Sequence, residues 1–312
     1  MIHDGTTGAG TASDGMSRAA RKRSVLRAGF AAARPVVVVG AHDALTARLI
    51  EQRAFDGVWV SGLGVSAAQL GVPDLNLMTF SEALEAAVRI DRATELPVIA
   101  DCDNGYGGML NVLRTAREYE LAGIAGICLE DNVFPKRNSL LGSEVDRELL
   151  PKAEHARRIA AIKGRQDGPD FVVIARVEAL IAGLGVDEAI DRALAYAAAG
   201  ADAIVIHSRD KTLAEIDAFL ELWRSVDPGV PLVAIPTLFP TFSAEELAAR
   251  GFAMVIFANQ PLRGAVRAME QVLDALRDER RAAAADPFVD PVDHVFDLVE
   301  TRDAIALDDA GS

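Results

Sequence analysis

The fold of this chain is decided around the stretch Gly126-Ile127-Cys128-Leu129-Glu130-Asp131-Asn132-Val133-Phe134-Pro135-Lys136-Arg137-Asn138-Ser139, where an apolar run stops on two acids and a polar loop containing a proline follows. A short apolar run bounded by polar residues is typical of a strand that is buried on both faces. We therefore predict a buried strand that ends at a functional loop.

Runs of the same kind recur along the chain. The predicted strands are 35–40, 58–61, 97–101, 124–130, 171–176, 203–207, 232–236 and 253–258. Segments with helical spacing alternate with them, at 45–54, 79–93, 110–122, 151–162, 186–199, 213–223, 243–249 and 262–276. Eight alternations within roughly 250 residues predict an α/β fold, a closed (β/α)8 barrel. An open, doubly wound sheet is the alternative.

Three glycines support this register of helices and strands. Gly123, Gly200 and Gly251 each stand between the end of a predicted helix and the next strand. A helix commonly ends with a residue in the left-handed conformation, which glycine adopts without strain. We expect all three to have positive φ.

Composition favours one enzyme domain acting on a small molecule. The chain has 312 residues, half of them hydrophobic, which is enough for a large core. A formal charge of −14 argues against nucleic acid or an anionic membrane surface as partner. No apolar stretch approaches the roughly 20 residues of a membrane span. Cys102 and Cys128 are expected to be free buried thiols.

Composition also divides the chain into three parts. Residues 1–33 are predicted to be a flexible tail that leads into a short helix, with a basic cluster at Arg18, Arg21, Lys22 and Arg23. The tail lacks the apolar region of a signal peptide, so we expect a cytoplasmic protein. Residues 34–280 would form the catalytic barrel, and 281–312 a C-terminal helical extension with an amphipathic piece at 292–299.

Polar side chains gather where the predicted strands end. In a barrel of this type the chemistry lies at that face, because the loops that follow the strands meet there. The polar strand ends are Ser61-Gly62-Leu63-Gly64, Asp101-Cys102-Asp103-Asn104-Gly105-Tyr106-Gly107, Glu130-Asp131, Arg176 with Glu178, His207-Ser208, Thr237 and Asn259.

The acids among them predict a divalent metal site. Asp101, Asp103 and Glu130 come from neighbouring strands and would lie together at one end of the barrel. Mg2+ typically takes one or two carboxylates, several waters and substrate oxygens. The structural alternative is that these acids cap helices or turns. An EF-hand is excluded because its other ligand positions are missing.

Donors around these acids favour an anionic substrate. Lys136, Asn138 and Ser139 follow the fourth strand, and Arg176 and His207 approach from other strand ends. Such donors suit a phosphoryl or carboxylate group. Each has a plainer alternative, a solvated loop for the lysine and a buried core position for the histidine. The backbone of Ser61 and Gly62 offers N–H groups to an oxyanion, and no Gly-x-Ser-x-Gly motif makes Ser61 a nucleophile.

Together these residues resemble the phosphoenolpyruvate mutase branch of the isocitrate lyase superfamily. The resemblance extends from about residue 35 to 276, and it is carried by 40–45, 60–67, 100–107, 130–139, 175–179 and 206–208. It implies a Mg2+-dependent enzyme that interconverts phosphoenolpyruvate and phosphonopyruvate, in which a phosphoryl group moves between oxygen and carbon. It also implies that C-terminal helices pack against a neighbouring subunit in a homo-oligomer, a dimer or a tetramer.

The resemblance assigns roles to individual residues. Asp101 would be the main Mg2+ ligand, with Asp103 and Glu130 acting largely through bound waters. The pyruvyl end would be held by Ser61, Gly62 and Leu63, and the phosphoryl group by Lys136, Asn138, Ser139, Arg176 and His207. The loop after the fourth strand would close as a lid. Asp74 matches a catalytic aspartate of the family.

Two departures and two alternative activities follow from the same comparison. Asn132 stands where lysine is common, and the segment from Ser61 to Asp74 is one residue longer than usual. Phosphonopyruvate hydrolases share the scaffold, but they tend to carry threonine at the position of Asn138. Carbon–carbon lyases acting on methylisocitrate-like acids usually carry Lys-Cys-Gly-His where this chain has Phe134-Pro135-Lys136-Arg137-Asn138. The amide of Asn138 favours the mutase.

Overall fold

The computed structural model describes residues 16–142 and 145–311, and it forms a closed parallel barrel. Eight strands pair in chain order, and β8 closes on β1. This confirms the predicted barrel and excludes the open sheet. The strands are β1 (Val36–Ala41), β2 (Gly57–Val60), β3 (Val98–Asp101), β4 (Gly126–Glu130), β5 (Val172–Val177), β6 (Ala203–Ile206), β7 (Leu232–Ala234) and β8 (Phe252–Phe257).

Helices connect the strands and surround the barrel, as the helical spacing predicts. They are α1 (Arg18–Phe30), α2 (Ala44–Gln52), α3 (Gly62–Val65), α4 (Phe80–Arg92), α5 (Met109–Leu121), α6 (Lys152–Lys163), α7 (Gly185–Ala198), α8 (Ala214–Val226), α9 (Ala244–Ala249), α10 (Gln260–Glu279), α11 (Val292–Leu298) and α12 (Thr301–Gly311). A π-helical turn (Ser66–Leu70) continues α3, and a 3-10 helix (Ala282–Phe288) follows α10. The short helix α3 and its π-helical continuation were not predicted.

Glycines occupy two kinds of position in the barrel that other residues would strain: left-handed helix ends and a close approach of two strands. Gly123, Gly200 and Gly251 have φ values of 92°, 96° and 107°, which confirms the predicted left-handed helix ends. Gly40 lies where β1 meets β8, and a Cβ there would be 2.0 Å from the carbonyl oxygen of Ala258. Only a residue without a side chain lets these two strands close the sheet.

The barrel interior is filled with apolar side chains. Trp59, Ile99, Ile174 and other inward residues of the strands pack into one buried cluster, so the barrel is a solid core. Leu26 of α1 joins that cluster and is 1% exposed. Helix α1 therefore closes the end of the barrel opposite the carboxyl ends of the strands.

The N-terminal basic cluster fastens α1 to the barrel. The Lys22 ammonium is buried and lies 2.6 Å from Asp91 Oδ1, and Arg18 reaches the other oxygen of Asp91 at 2.8 Å. Arg27 contacts Asp202 at 2.9 Å. The second half of the predicted tail is thus a docked helix, because its cations meet Asp91 in the last turn of α4 and Asp202 directly before β6. The first part of that tail, 1–15, lies outside the described residues.

The C-terminal part is helical, as expected. Helix α11 corresponds to the amphipathic piece predicted at 292–299, whereas α12 was not predicted. Cys102 and Cys128 are buried free thiols, which confirms the expectation. In the part of the chain that the structure describes, no helix combines the length and apolar character needed to cross a membrane.

Candidate active site

A cavity opens at the carboxyl ends of the strands, and its free volume is about 50 Å³. Most of the predicted site residues line it, together with several apolar side chains. The lining consists of Trp59, Ser61, Leu63, Asp74, Asp101, Glu130, Lys136, Asn138, Ser139, Leu140, Arg176, His207, Ile235, Thr237, Ala258 and Asn259. Of the predicted site residues, Gly62 and Asp103 do not line the cavity: Gly62 lies against the Asp101 carboxylate, and Asp103 accepts from the ammonium of Lys136.

Asp101 and Glu130 present carboxylates to the cavity. They end β3 and β4, which are neighbours in the barrel, so the sheet register brings them together. Burial raises the pKa of both groups, that of Glu130 to about 8. Gly62 allows this packing, since a Cβ at that position would lie 3.3 Å from Asp101 Oδ2. One buried acid, Glu130, and one half-buried acid, Asp101, with few donors around them form an incomplete site that a cation stabilises.

Lys136 is buried among the remaining acids. Its ammonium lies 2.8 Å from Asp74 Oδ1 and also forms an ion pair with Asp103. Burial acts to lower the pKa of Lys136, but the carboxylates of Asp103 and Asp74 outweigh it and raise that pKa well above its ordinary value. Burial raises the pKa of Asp103 to about 7. Despite the longer segment before it, Asp74 lies in the cavity wall.

Asn76 connects the acids to the loop after β4, and the sequence analysis missed it. Its side-chain oxygen accepts the backbone N–H of Lys136 at 2.6 Å, and its side-chain nitrogen donates to Asp103 Oδ2 at 2.9 Å. The residue has a φ of 58°, a left-handed conformation that asparagine tolerates better than most residues. An asparagine in the turn after Asp74 was the only sequence signal.

On the opposite side of the cavity, Arg176 organises a second cluster. Its guanidinium forms a short ion pair with Glu178, donates to Ser139 Oγ at 2.5 Å and lies 2.9 Å from His207 Nδ1. Burial acts to raise the pKa of Glu178, but Arg176 outweighs it and lowers the pKa to about 2. The sequence placed Glu178 near the strand end without a role. Its role in the structure is to hold Arg176.

The contacts of His207 define how it can bind a ligand. Burial and the charge of Arg176 lower the pKa of His207, which favours the neutral ring. Nδ1 lies 2.9 Å from Arg176, which only donates, and 3.4 Å from Glu178 Oε1, which only accepts; because Arg176 is the nearer partner, we assign Nδ1 as the acceptor and place the proton on Nε2. Within the described part of the chain Nε2 has no hydrogen-bond partner. It can therefore donate to an anionic oxygen in the cavity.

Asp131 anchors both ends of the loop between β4 and α6. This fully buried carboxylate accepts from the backbone N–H of Glu178 at 3.0 Å, from the Tyr196 hydroxyl at 2.7 Å and from Arg192 at 3.1 Å. Its carbonyl accepts the N–H of Leu150 at 2.8 Å. The start of the loop, Asp131, is thus fixed to α7 and to the backbone just after β5, and the end of the loop, Leu150, is fixed to Asp131. The sequence analysis did not identify this network.

The same loop carries Asn138 to the cavity. The Asn138 amide nitrogen donates to Asp74 Oδ2 at 2.6 Å, and its oxygen accepts the N–H of Leu140 at 2.9 Å. Asn132, at the start of the loop, is 2% exposed, and its backbone pairs with that of Leu149. In the described residues its side-chain amide has no hydrogen-bond partner.

Ser61 departs from its predicted role. Its backbone N–H already donates to the carbonyl of Ala41 at 3.0 Å, and its hydroxyl accepts the N–H of Gly64 at 3.1 Å, which caps α3. The expectation that Ser61 offers its N–H to an oxyanion is therefore wrong. Gly62 and Leu63 begin α3, and the first N–H groups of a helix have no acceptor within it.

The donor set fits Mg2+ held by few protein ligands. The predicted three-carboxylate site of Asp101, Asp103 and Glu130 is not formed: across residues 16–142 and 145–311, no three His, Cys, Asp or Glu side chains are grouped closely enough to hold a metal between them, and Asp103 pairs with Lys136. The ammonium of Lys136 neutralises part of the negative charge of the acids, because it binds Asp74 and Asp103. Asp101 and Glu130 remain open to the cavity. Mg2+ keeps several waters and often binds through one or two carboxylates, which matches this arrangement.

Comparison with known proteins agrees with this geometry. Phosphoenolpyruvate phosphomutase of Tetrahymena pyriformis is 40% identical over 261 residues, which are 84% of this chain and 85% of the relative. The crystal structure of phosphoenolpyruvate phosphomutase from Streptomyces platensis subsp. rosaceus has a TM-score of 0.88 at 42% identity, covering 92% of this chain and 98% of that one. A phosphonopyruvate hydrolase in complex with oxalate and Mg2+ has a TM-score of 0.84 at 39% identity, covering 92% and 97%.

A family model described as phosphoenolpyruvate phosphomutase matches residues 26–277, which include all eight strands of the barrel and most of α10. The similar proteins span most of their own length and most of this chain. The resemblance noted from the sequence is thereby confirmed. The chain belongs to the phosphoenolpyruvate phosphomutase family of enzymes, isomerases of the isocitrate lyase superfamily.

Proposed function

We propose that this enzyme interconverts phosphoenolpyruvate and phosphonopyruvate with the help of Mg2+. The supporting observation is the amide of Asn138, which faces the cavity and is held at both ends by Asp74 and Leu140. A fixed amide beside Ser139 and Arg176 orients a phosphoryl group without offering a base to activate water.

The rearrangement needs no external reactant. In phosphonopyruvate the carbon–phosphorus bond breaks, and its electron pair passes into the enolate of pyruvate. An oxygen lone pair of that enolate then forms the new bond to phosphorus. No proton is gained or lost, so the protein has only to hold both fragments and exclude water.

The two halves of the cavity suit the two fragments. Arg176 and the Nε2–H of His207 would stabilise the phosphoryl oxygens, with Ser139 and Asn138 beside them. The N–H groups of Gly62 and Leu63 would hold the pyruvyl end. Asp101 would bind Mg2+ directly, and Glu130 and Asp103 would act largely through its waters. Bound Mg2+ would supply positive charge that stabilises the enolate oxygen.

Hydrolysis of phosphonopyruvate to pyruvate and phosphate is the second candidate function. A hydrolase resembles this chain nearly as well as the mutase structures do, with TM-scores of 0.84 and 0.88. Asn138 in place of threonine favours the mutase. A carbon–carbon lyase is less favoured, because Phe134-Pro135-Lys136-Arg137-Asn138 stands where such lyases usually carry Lys-Cys-Gly-His.

Incubation of the purified protein with phosphonopyruvate and Mg2+, followed by 31P NMR, tests the proposal. We expect phosphoenolpyruvate as the product. Free phosphate as the sole product would identify a hydrolase, and no turnover would refute both functions.

Two variants test the assigned roles. Asp101→Ala should abolish metal-dependent turnover, and near-normal activity would remove Asp101 from the metal site. Asn138→Thr should shift the product towards phosphate. An unchanged product ratio would contradict the role given to this amide.

We further propose that the enzyme is a homo-oligomer, a dimer or a tetramer. Helix α10 is amphipathic over 20 residues, yet as described it has no buried residue. Met269 and Leu273 are 55% and 64% exposed, and Val266 and Leu276 lie on the same side. An apolar stripe of this length on an otherwise acidic protein suits a second copy of the chain. Sedimentation velocity should give a mass of at least two chains.

A net charge of −14 and a cavity of about 50 Å³ support a small-molecule substrate rather than nucleic acid or a membrane surface. The proposed reaction is also one of cytoplasmic metabolites, and we propose a cytoplasmic location on that basis. Fractionation of cells that express the protein would test the location.

A further inference from the structure

The segment 138–142 roofs the cavity, and it is held in place from two directions. Asn138, Ser139 and Leu140 line the cavity from above. Their side chains meet Asp74 and Arg176, which belong to the chemistry described above. The backbone carbonyls of the segment face the other way and are bound by two arginines outside the cavity.

Arg147 is the first of these arginines. It donates to the carbonyls of Asn138 and Leu141, both at 2.9 Å. It belongs to the same loop, a few residues further along the chain. A contact within the loop stiffens it but can move together with it.

Arg209 is the second, and it belongs to a different part of the barrel. It follows β6, two residues after His207, and its Nη2 lies 2.5 Å from the Leu141 carbonyl and 3.2 Å from that of Gly142. The Ser139 carbonyl is 3.5 Å from the same atom. Arg209 is therefore a bridge from one rim of the cavity to the roof formed by the other.

The turn that carries Arg209 is itself rigid. The Ser208 hydroxyl donates to Glu215 at 2.5 Å and accepts the N–H of Asp210 at 2.9 Å. Asp210 in turn accepts from the N–H of Thr212 at 2.8 Å. Arg209 is thus presented from a fixed point, whereas the carbonyls that it binds are partly exposed to solvent. Such a bridge can hold the roof shut and still release it.

We infer that Arg209 is a positioning residue that keeps the roof closed and thereby limits hydrolysis during the reaction. This inference rests on the proposed function. The side chain of Arg209 does not line the cavity, so Arg209 acts on the reaction through the backbone of 138–142. Water that enters when the roof opens attacks phosphorus in place of the enolate oxygen, and the enolate then takes up a proton from water. The products are pyruvate and phosphate.

The test compares Arg209→Gln with Arg224→Gln in the full-length, Mg2+-loaded enzyme. Arg224 also donates to a backbone carbonyl, that of Arg250 at 2.5 Å, but it lies on an outer helix. We expect Arg209→Gln to raise amide exchange in peptides covering 138–142 about fivefold, and the phosphate fraction of the product by a similar factor. Arg224→Gln should change neither.

Arg209→Lys separates charge from geometry. A lysine keeps the charge but lacks the planar fork, so we expect an effect between those of wild type and Arg209→Gln. Unchanged exchange in Arg209→Gln would overturn the inference, and so would faster exchange with an unchanged phosphate fraction. If wild type releases only phosphate, the mutase proposal fails, while the exchange result still decides whether Arg209 holds the roof.

Discussion

Replacement of Lys136 by methionine tests whether its ammonium holds the acids of the site together. Asp74 and Asp103 both bind this ammonium, and all three side chains are at most 6% exposed. Removal of one partner from a buried ion pair costs about 3 to 5 kcal/mol, because it leaves uncompensated charge. Burial raises the pKa of Asp103 to about 7 even beside Lys136, so proton uptake by Asp103 limits the cost. We expect a loss of about 3 kcal/mol at pH 8.

The sign of the pH dependence distinguishes this mechanism from a packing defect. Without Lys136 the pKa of Asp103 rises further, so the folded chain retains a proton that the unfolded chain releases. In wild type Asp103 already titrates near pH 7, so the test is the difference between the two proteins: the stability lost by Lys136→Met relative to wild type should grow as pH rises from about 6 to 8, by up to roughly 1.4 kcal/mol per pH unit for one proton. A packing defect would cost the same at both pH values.

Thermal unfolding in a chelating buffer measures both effects. A loss of about 3 kcal/mol should lower the melting temperature by roughly 4 to 5 °C in a protein of 312 residues. Lys152→Met is the matched control, because Lys152 pairs with Asp191 on the surface, where such pairs are worth less than about 1 kcal/mol. Equal melting temperatures for the two variants at pH 8, or a difference that widens at pH 6, would refute the reasoning.

Three further predictions concern the metal site and the core. Gly62→Ala would place a Cβ 3.3 Å from Asp101 Oδ2, and calorimetry should show Mg2+ binding weakened about tenfold, unlike Gly108→Ala, where the added Cβ meets open space. Burial raises the pKa of Glu130 to about 8, so Mg2+ affinity should increase between pH 6 and 8.5 with release of protons; a flat profile would contradict this. Burial lowers the pKa of His155 to about 3, so only the unfolded chain binds its proton as pH falls below about 6.5. Wild type should lose about 2 kcal/mol more than His155→Phe between pH 7 and 5 in urea titrations.

Much of the barrel was predictable because its signals are local. A parallel strand covered on both faces is a continuous apolar run, and the left-handed helix ends at Gly123, Gly200 and Gly251 carry the glycine that marks them in the sequence. Polar residues at strand ends likewise predicted the cavity wall, since the carboxyl ends of parallel strands all meet at one face. Asp101 and Glu130 meet for this reason, from adjacent strands.

The contacts between side chains were not predictable in the same way. Asn76 lies in a turn far from Lys136 in sequence, and only folding brings its amide to the loop after β4. The N–H of Ser61 is occupied because β2 lies beside β1, which a strand-end pattern does not reveal. Arg209 gave no signal, because it binds backbone carbonyls, which every residue possesses.

By itself, the sequence determined the alternation of eight strands with helices, the face that carries the chemistry and the residue types that suit a metal and an anion, whereas the closure of the sheet into a barrel was decided by the structure. These follow from hydrophobic periodicity and from the order of polar residues along the chain. Only the tertiary structure decided that Lys136 joins the acids while Arg176 joins Glu178 and His207. Ion pairing in a buried site depends on distances of a few ångströms between distant parts of the chain, and no local pattern encodes them.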